Sequence, residues 1–397
     1  MSEPCELLAP AGDFEKLKTA LHFGADAVYF GGKEFSLRAY AGNFTEEEAE
    51  RAVLYAHARG KKAYAAVNIF ARGEDLPALG RHFAFLQEIG ADAAIVSDAG
   101  ALAIAKKEAP RLVLHLSTQA NTTNAAAARF WQEQGVRRIV PARELSLAEL
   151  SAIHRACPSL ELEAFVHGAM CISYSGRCLL SSYLAGRDAN RGQCAQPCRL
   201  RYFVRAREEG SELPLEEDAR GSYIFNSKDL NMLPYLSALA EAGVCSFKIE
   251  GRMKSAYYLA TVVNAYRRAL DGTFTEGEAQ AELDKTAHRD FTAAYAVGDN
   301  AETVSYSDAQ RGGTHEYIAD VLEGGEGSAL VQMRGRFRAG DVLEILSPTA
   351  SHGRTFAAAM CAEDGTPVQD AKLVMQKLRL RCPYPLQAGD ILRRARR

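Results

Sequence analysis

A short cassette recurs along this chain: a glycine, one to three residues, then a brief apolar run. Gly24 leads into 25–30, Gly90 into 91–96, Gly135 into 136–140 and Gly243 into 244–249. Each glycine follows a helical pattern, where a left-handed residue ends the helix, and each run suits a strand buried on both faces. Further strand candidates lie at 6–9, 63–67, 112–116 and 162–166. Interleaved, the two sets predict eight strands alternating with helices over residues 5–272, which is the pattern of a (β/α)8 TIM-like barrel. An open doubly wound sheet needs a glycine-rich phosphate turn after its first strand. Here that turn, residues 9–13, holds only Gly12.

The wide interval from Gly135 to Gly243 predicts an insertion before the last strand, beyond ordinary loop lengths. We place it at 168–240, starting at the carboxyl end of the seventh strand, the face on which barrel enzymes carry their chemistry. Within it, 202–204 and 223–225 flank an acidic stretch and predict an extended hairpin. Helical patterns at 256–270 and 276–285 follow, and then the periodicity changes to alternation. With a glycine-rich turn at 324–327 and twin Ala-Gly-Asp phrases at 339–343 and 388–392, the end reads as a small antiparallel β-barrel. The expected domains are a barrel at 1–312 and a β domain at 313–397.

Composition limits the function classes. With 47% hydrophobic and 24% charged residues in 397, the chain can bury a large core. A net charge of -3 argues against a protein coated in positive charge for nucleic acid, but leaves local patches open. The candidates are Arg177, Arg187, Arg191, Arg199 and Arg201, then Arg379, Arg381 and the basic end at 393–397, which reads either as a solvated tail or as a phosphate contact. The opening Met1-Ser2-Glu3-Pro4 lacks a basic or apolar export segment, and no run of 18 apolar residues exists. The expectation is a cytoplasmic protein with no membrane partner.

Reduced thiols then turn attention from disulfides to metals or catalysis. Of nine cysteines, Cys171, Cys178, Cys194 and Cys198 cluster as C-x6-C-x15-C-x3-C among Gly, Ser, Arg and Asn, unlike core filler. The paired C-x2-C knuckles of zinc ribbons are missing. Spacing alone leaves a metal site, unligated thiols and a redox pair all open, with iron–sulfur preferred over zinc if metal is bound. Cys5, Cys157, Cys245, Cys361 and Cys382 are scattered singly and read as small buried hydrophobes.

The run 163–181, carrying His167, Cys171, Ser175, Gly176, Arg177 and Cys178, resembles the signature of the peptidase U32 family. Matches at 7–13, 27–31, Arg38, Asn43 with Phe44, Arg187 with Asp188, 192–194, 226–230 and 248–255 extend the resemblance, and 337–341 is similar to the family's small β domain. Despite the name, the resemblance implies an oxygen-independent hydroxylase of RNA or quinone precursors, built around a [4Fe–4S] cluster held by cysteines. The domain order is most similar to the branch that forms 5-hydroxyuridine at the tRNA wobble position with prephenate as partner metabolite. Ribosomal-RNA cytidine and ubiquinone branches share the core motifs. Carried over, the ligands are Cys171, Cys178 and Cys194, with Cys198 as natural fourth and Cys245 as fallback. Assembly as a homo-oligomer, or with a paralogous family member, stays open.

Strand ends on the active face nominate the rest of the pocket. They supply Asn68, Asp98, Gln119, Arg143 with Glu144, His167, and Lys248 with Glu250 and Arg252. His167, Lys248 and Glu250 are the catalytic candidates. His167 could equally make a structural hydrogen bond to the cysteine loop, and Lys248 could form a plain buried ion pair with Glu250. Substrate binding falls to Arg38, Gln119, Arg143, Asn226, Lys228 and Arg252, with Arg143 and Arg252 suited to a dicarboxylate such as prephenate. Residues 226–229 read equally as a helix cap. A peptidase reading finds no Gly-x-Ser-x-Gly elbow and no His-Glu-x-x-His helix, only a weak Ser175–His167 pairing.

Overall fold

In the computed structural model, which describes residues 5–37, 42–171, 173–199, 217–218, 221–222, 227–297 and 312–396, all four cassette glycines take positive φ, from +74° at Gly90 to +102° at Gly24. At Gly243 the requirement is double, because a Cβ there would stand 2.1 Å from the His154 ring. The strands that follow or intervene are β1 (Glu6–Ala11), β2 (Ala27–Gly31), β3 (Lys62–Val67), β4 (Ala93–Val96), β5 (Leu114–Leu116), β6 (Arg138–Ile139), β7 (Glu161–Ala169) and β8 (Val244–Ile249). Each pairs in parallel with its successor. β8 pairs with both β7 (Phe247 opposite Ala164) and β1 (Phe247 opposite Leu7), which closes the barrel. The expected (β/α)8 architecture is therefore observed.

Local chemistry starts the helices where the barrel needs them. Thr45 and Ser146 form capping boxes with Glu48 and Glu149, while Asp98 and Asn124 cap the helices after β4 and β5. No helix among the described residues is long and apolar enough to cross a membrane.

Among its described residues the insertion holds a short helix, Leu180–Ala185, four single 3-10 turns, and the strand Asp229–Asn231, which runs antiparallel to the end of β7. The expected hairpin strands at 202–204 and 223–225 lie outside the described residues, as do Arg201, Arg38 and Asn226; a described fragment pairs Glu217–Asp218 antiparallel with Gly221–Ser222. The helix-cap alternative for residues 226–229 does not hold. Asp229 opens a strand, and its carboxylate accepts from the backbone N–H (3.0 Å) and guanidinium (3.2 Å) of Arg289.

The carboxy-terminal alternation forms β9 (His315–Glu323), β10 (Gly327–Met333), β11 (Val342–Leu346), β12 (Thr355–Ala357), β13 (Ala359–Cys361), β14 (Pro367–Val368), β15 (Lys377–Cys382) and β16 (Ile391–Ala395). They make one antiparallel sheet in the order β12-β11-β16-β9-β10-β15-β13-β14. The twin Ala-Gly-Asp phrases lead into adjacent strands, with Leu346 opposite Ile391. Contacts divide the chain into two compact units: 1–17, 26–253 and 289–310 in one, 18–25, 254–288 and 311–397 in the other. Residues 254–288, assigned to the barrel domain by linear order, thus pack with the β domain. Within that unit Tyr257 stacks on Tyr317 with ring centroids 5.5 Å apart.

The first two arginines of the basic end are not solvated, whereas Arg396 is exposed and Arg397 lies outside the described residues. Arg393 lies in β16 and is fully buried, bonding Glu282 through two nitrogens (2.6 and 2.8 Å) and Glu344 through its Nε at 3.0 Å. Arg394 is paired with Asp341 and Glu316. Burial alone would raise the Glu282 and Glu344 carboxyls, but His352, His315, Arg393 and Lys285 hold both well below the ordinary carboxylate range. A depressed folded value stabilises above the unfolded one, near 4.3, and that contribution is lost as pH falls through the carboxylate range. Arg393→Ala takes the guanidinium shared by the buried Glu282 and the half-buried Glu344, leaving Lys285 and the histidines as their partners, and is expected to cost about 3 kcal/mol, read as a lower urea midpoint, with the parent losing stability in acid below about pH 4.

Candidate functional site

Three charged residues sit within the apolar strands of the barrel, and they find one another. Glu163 of β7, with no exposed surface, accepts from Lys248 of β8 at 2.7 Å and from Arg138 of β6 at 3.2 Å. Arg138 also bonds Glu6 of β1 (2.6 Å), whose carboxylate takes the Ser246 and Tyr64 hydroxyls. Burial would raise the Glu163 carboxyl, yet Lys248 and Arg138 hold it at about 2. His115, beside Tyr64, is lowered to about 3 by burial and then by Arg138, so its ring is neutral at pH 7. Lys248 therefore does not pair with Glu250, as the sequence suggested. Its partner is Glu163, and its ammonium lies 4.5 Å from the Tyr29 ring centroid.

The carboxyl ends of the strands carry a second polar layer. The Gln119 side-chain oxygen accepts from Asn68 (3.1 Å) and Ser117 (2.6 Å). Arg252 is buried and donates to Ser36 at 2.7 Å, across a position where a Cβ on Gly31 would come 2.4 Å from the guanidinium. Gly31 is thus needed for close approach. The Tyr29 hydroxyl stands 3.0 Å from the Ile249 carbonyl and 3.2 Å from the Glu250 carboxylate. His167 is buried, 5.6 Å from the Phe291 ring, and its carbonyl accepts from the Glu250 N–H. Lys228 is half-buried before the strand Asp229–Asn231.

Arg143 stands apart from the other cations. No carboxylate lies within ion-pair distance of it among the described residues, and its buried Nε has no hydrogen-bond partner. Its guanidinium rests 5.5 Å from the Phe165 ring centroid, with the Met170 sulfur at 3.9 Å from one of its terminal nitrogens. A buried donor left in this way is costly unless an anion meets it. The neighbouring Glu144 is committed elsewhere: it takes both the backbone N–H and the hydroxyl of Ser175, while the Arg143 N–H donates to the Ser175 oxygen. These bonds hold Ser175 at φ +43°, fully buried. Its hydroxyl therefore serves Glu144, not His167, and the weak dyad disappears.

The clamp fixes the start of the cysteine loop against the barrel. Arg177 adds a bond from Nε to the Gln119 carbonyl, 2.9 Å. Further on, Asn190 clips the Cys178 backbone by both its groups, and the Cys194 sulfur accepts the Gln196 N–H at 3.4 Å. Cys171, Cys178, Cys194 and Cys198 are all half-buried. In donor chemistry this set fits an iron–sulfur cluster: soft sulfurs on polar loops, one already taking an N–H bond. Among the described residues no three His, Cys, Asp or Glu side chains stand gathered at metal-binding distance. Cys245 is a poor alternative. It sits at the amino end of β8, its thiol donates to the Leu162 carbonyl, and burial pushes it up to about 11.

Comparison with known proteins agrees with this architecture. The model of peptidase family U32 matches residues 12–305, and that of the U32 C-terminal domain matches 313–393. The chain belongs to the peptidase U32 family. It is 35% identical to tRNA hydroxylation protein P1 of Bacillus subtilis over 98% of this chain and 95% of that protein. Against tRNA hydroxylation protein P of Helicobacter pylori the identity is 42%, over 81% and 79%. A 23S rRNA 5-hydroxycytidine synthase of Escherichia coli is 38% identical over 72% of this chain but only 43% of its own length.

The sequence pointed to residues at the strand ends and not to the groups that support them. It placed Gln119, Arg143, Glu250 and Arg252 at strand ends, but overlooked Glu163, Arg138, Tyr29 and the Glu144–Ser175 clamp. A signal existed for the first two: charges inside apolar strands must be paired. Glu163→Ala should therefore lower stability by about 3–5 kcal/mol in urea unfolding, because it leaves the buried Lys248 ammonium unmatched and takes one of three carboxylates from Arg138. By contrast, Glu144→Ala should speed backbone hydrogen exchange at 173–177 with little change in the global midpoint, since it releases a loop rather than the core.

Proposed function

We propose that the chain is an iron–sulfur-dependent, O2-independent RNA hydroxylase, acting in the cytoplasm on transfer RNA. Its reaction forms 5-hydroxyuridine at the wobble position, with prephenate or a similar dicarboxylate as partner metabolite. The observation that carries this reading is the end-to-end kinship with a tRNA hydroxylation protein, over 98% of this chain and 95% of that one. The ribosomal-RNA alternative has weaker support, because the corresponding relative is matched over only 43% of its length.

Within this reading, Arg143 anchors a carboxylate of the metabolite through a bidentate, charge-assisted contact. Its lack of a protein carboxylate and its seat on Phe165 support the assignment. Gln119, with its oxygen already engaged by Asn68 and Ser117, offers its amide N–H groups on the same rim. Arg252 is tied to Ser36, and its role is to hold the loop after β2 as much as to meet substrate. Lys248, locked to Glu163, stiffens the barrel beneath the pocket. Glu250 and His167 form the polar wall at the end of β7 and β8, joined through backbone. Cys171, Cys178, Cys194 and Cys198 would hold a [4Fe–4S] cluster, which when bound supplies one-electron redox or Lewis-acid chemistry. An unpaired loop base reaches such a pocket at small unstacking cost.

The decisive experiment is deletion of the gene followed by mass spectrometry of tRNA and rRNA nucleosides. Loss of 5-hydroxyuridine from tRNA is expected. Loss confined to an rRNA cytidine would move the substrate, and unchanged nucleosides would return the peptidase or quinone readings. In the complemented strain, Arg143→Ala should lower modification by roughly 10- to 100-fold, while the anaerobically purified variant keeps the parent's iron and sulfide content. Cys171→Ser should lose that content.

A further inference from the structure

Within the β domain most arginines are neutralised. Arg334 meets Asp320, Arg336 and Arg338 meet Asp370, Arg393 meets Glu282 and Glu344, and Arg394 meets Asp341. The strand β15 is different. Its alternation sends Leu378, Leu380 and Cys382 into the core and leaves Lys377, Arg379 and Arg381 exposed on the outer face. None of these three has an acidic partner within ion-pair distance among the described residues. Successive cations on one strand face recur every second residue, about 6.6–7 Å apart.

The turn before this strand is equally unusual. Leu373 and Val374 are 68% and 70% exposed, and Met375 is 47% exposed. The turn is not loose, because Met375 sits at φ +66° with its N–H bonded to the Met333 carbonyl (2.8 Å), and the Gln376 N–H closes back onto Leu373 (3.0 Å). The Gln332 side chain reaches the Met375 carbonyl at 3.4 Å. A well-held apolar tip beside a row of unpaired cations is what a folded chain presents to something outside itself.

We propose that this turn and strand face form an RNA-docking surface. Lys377, Arg379 and Arg381 neutralise phosphates along one strand, and Leu373 and Val374 pack against the face of an unpaired base or its sugar. Charge complementarity favours a polyanion: a row of bare cations on a chain of net charge -3 is costly in self-repulsion without an anionic partner. The inference rests on the reading that the substrate is RNA, and it assigns the contact to β15 rather than to Arg393 and Arg394 of the basic end, which are paired with carboxylates of the same unit.

The test uses the full chain and unfractionated tRNA, with affinity measured across a salt series. The variant Arg379→Gln with Arg381→Gln should bind roughly tenfold or more weakly, and its log–log salt slope should fall by about 1.4–1.8, two phosphate contacts' worth. Leu373→Ser with Val374→Ser should weaken binding without changing the slope. Both pairs are exposed, so thermal unfolding should match the parent and exclude misfolding as a cause. Parent-like affinity and slope in both variants would overturn the docking surface while the RNA reading stands. If those variants instead change sedimentation behaviour, the face belongs to a protein contact and the inference fails. A parent that shows no salt-dependent tRNA binding would bring down the RNA reading itself, and this inference with it.

Discussion

A fully buried carboxylate organises the barrel. Glu163 projects from β7 and is met by Lys248 from β8 and Arg138 from β6, and Arg138 extends the chain of charge to Glu6 on β1. These four strands include the seam where β8 closes the cylinder between β7 and β1. Apolar packing would close a barrel without any charge, so the network is not there for net stability alone; a buried pair roughly breaks even against hydrophobic residues. What it adds is discrimination, since a register slip at the seam would leave ions unmatched in a dry interior.

The rim inherits its geometry from that interior. Lys248 is drawn inward to Glu163, whereas Arg143 has no carboxylate within ion-pair distance among the described residues and rests beside Phe165. The residue after Arg143 does a separate task. Glu144 binds Ser175 through backbone and hydroxyl together, and holds the cysteine loop in a conformation that a serine would otherwise avoid. Adjacent residues on one turn thus serve the candidate anion site and the loop that bears the thiols, so a change at either has a short path to the other.

The second unit repeats the theme with a different purpose. Arg393, buried between Glu282 and Glu344, ties the final strand to the helix Glu276–Leu283 within the same unit. Two arginines of a basic end that composition presents as an anion-binding tail, Arg393 and Arg394, are in fact structural. On β15 strand alternation places Lys377, Arg379 and Arg381 in solvent, with no acidic partner within ion-pair distance among the described residues.

The sequence by itself determined the architecture. Short apolar runs behind left-handed glycines can only be strands buried on both faces, and their number and spacing demanded a closed parallel barrel with an insertion and an antiparallel end. Local chemistry is enough for that, because periodicity, turn residues and caps act over a few neighbours. It also placed Gln119, Arg143, Glu250 and Arg252 at strand ends. Only the tertiary structure decided which charges pair. Lys248 has Glu250 two residues away in sequence, yet alternation along a strand and the curvature of the barrel bring Glu163 to its ammonium instead. Arg393 stands in a run that looks solvated, yet the sheet carries it inward to two carboxylates more than 40 residues away. Ion pairing in a protein interior depends on proximity in three dimensions and on the absence of water, and neither is written in the order of the residues.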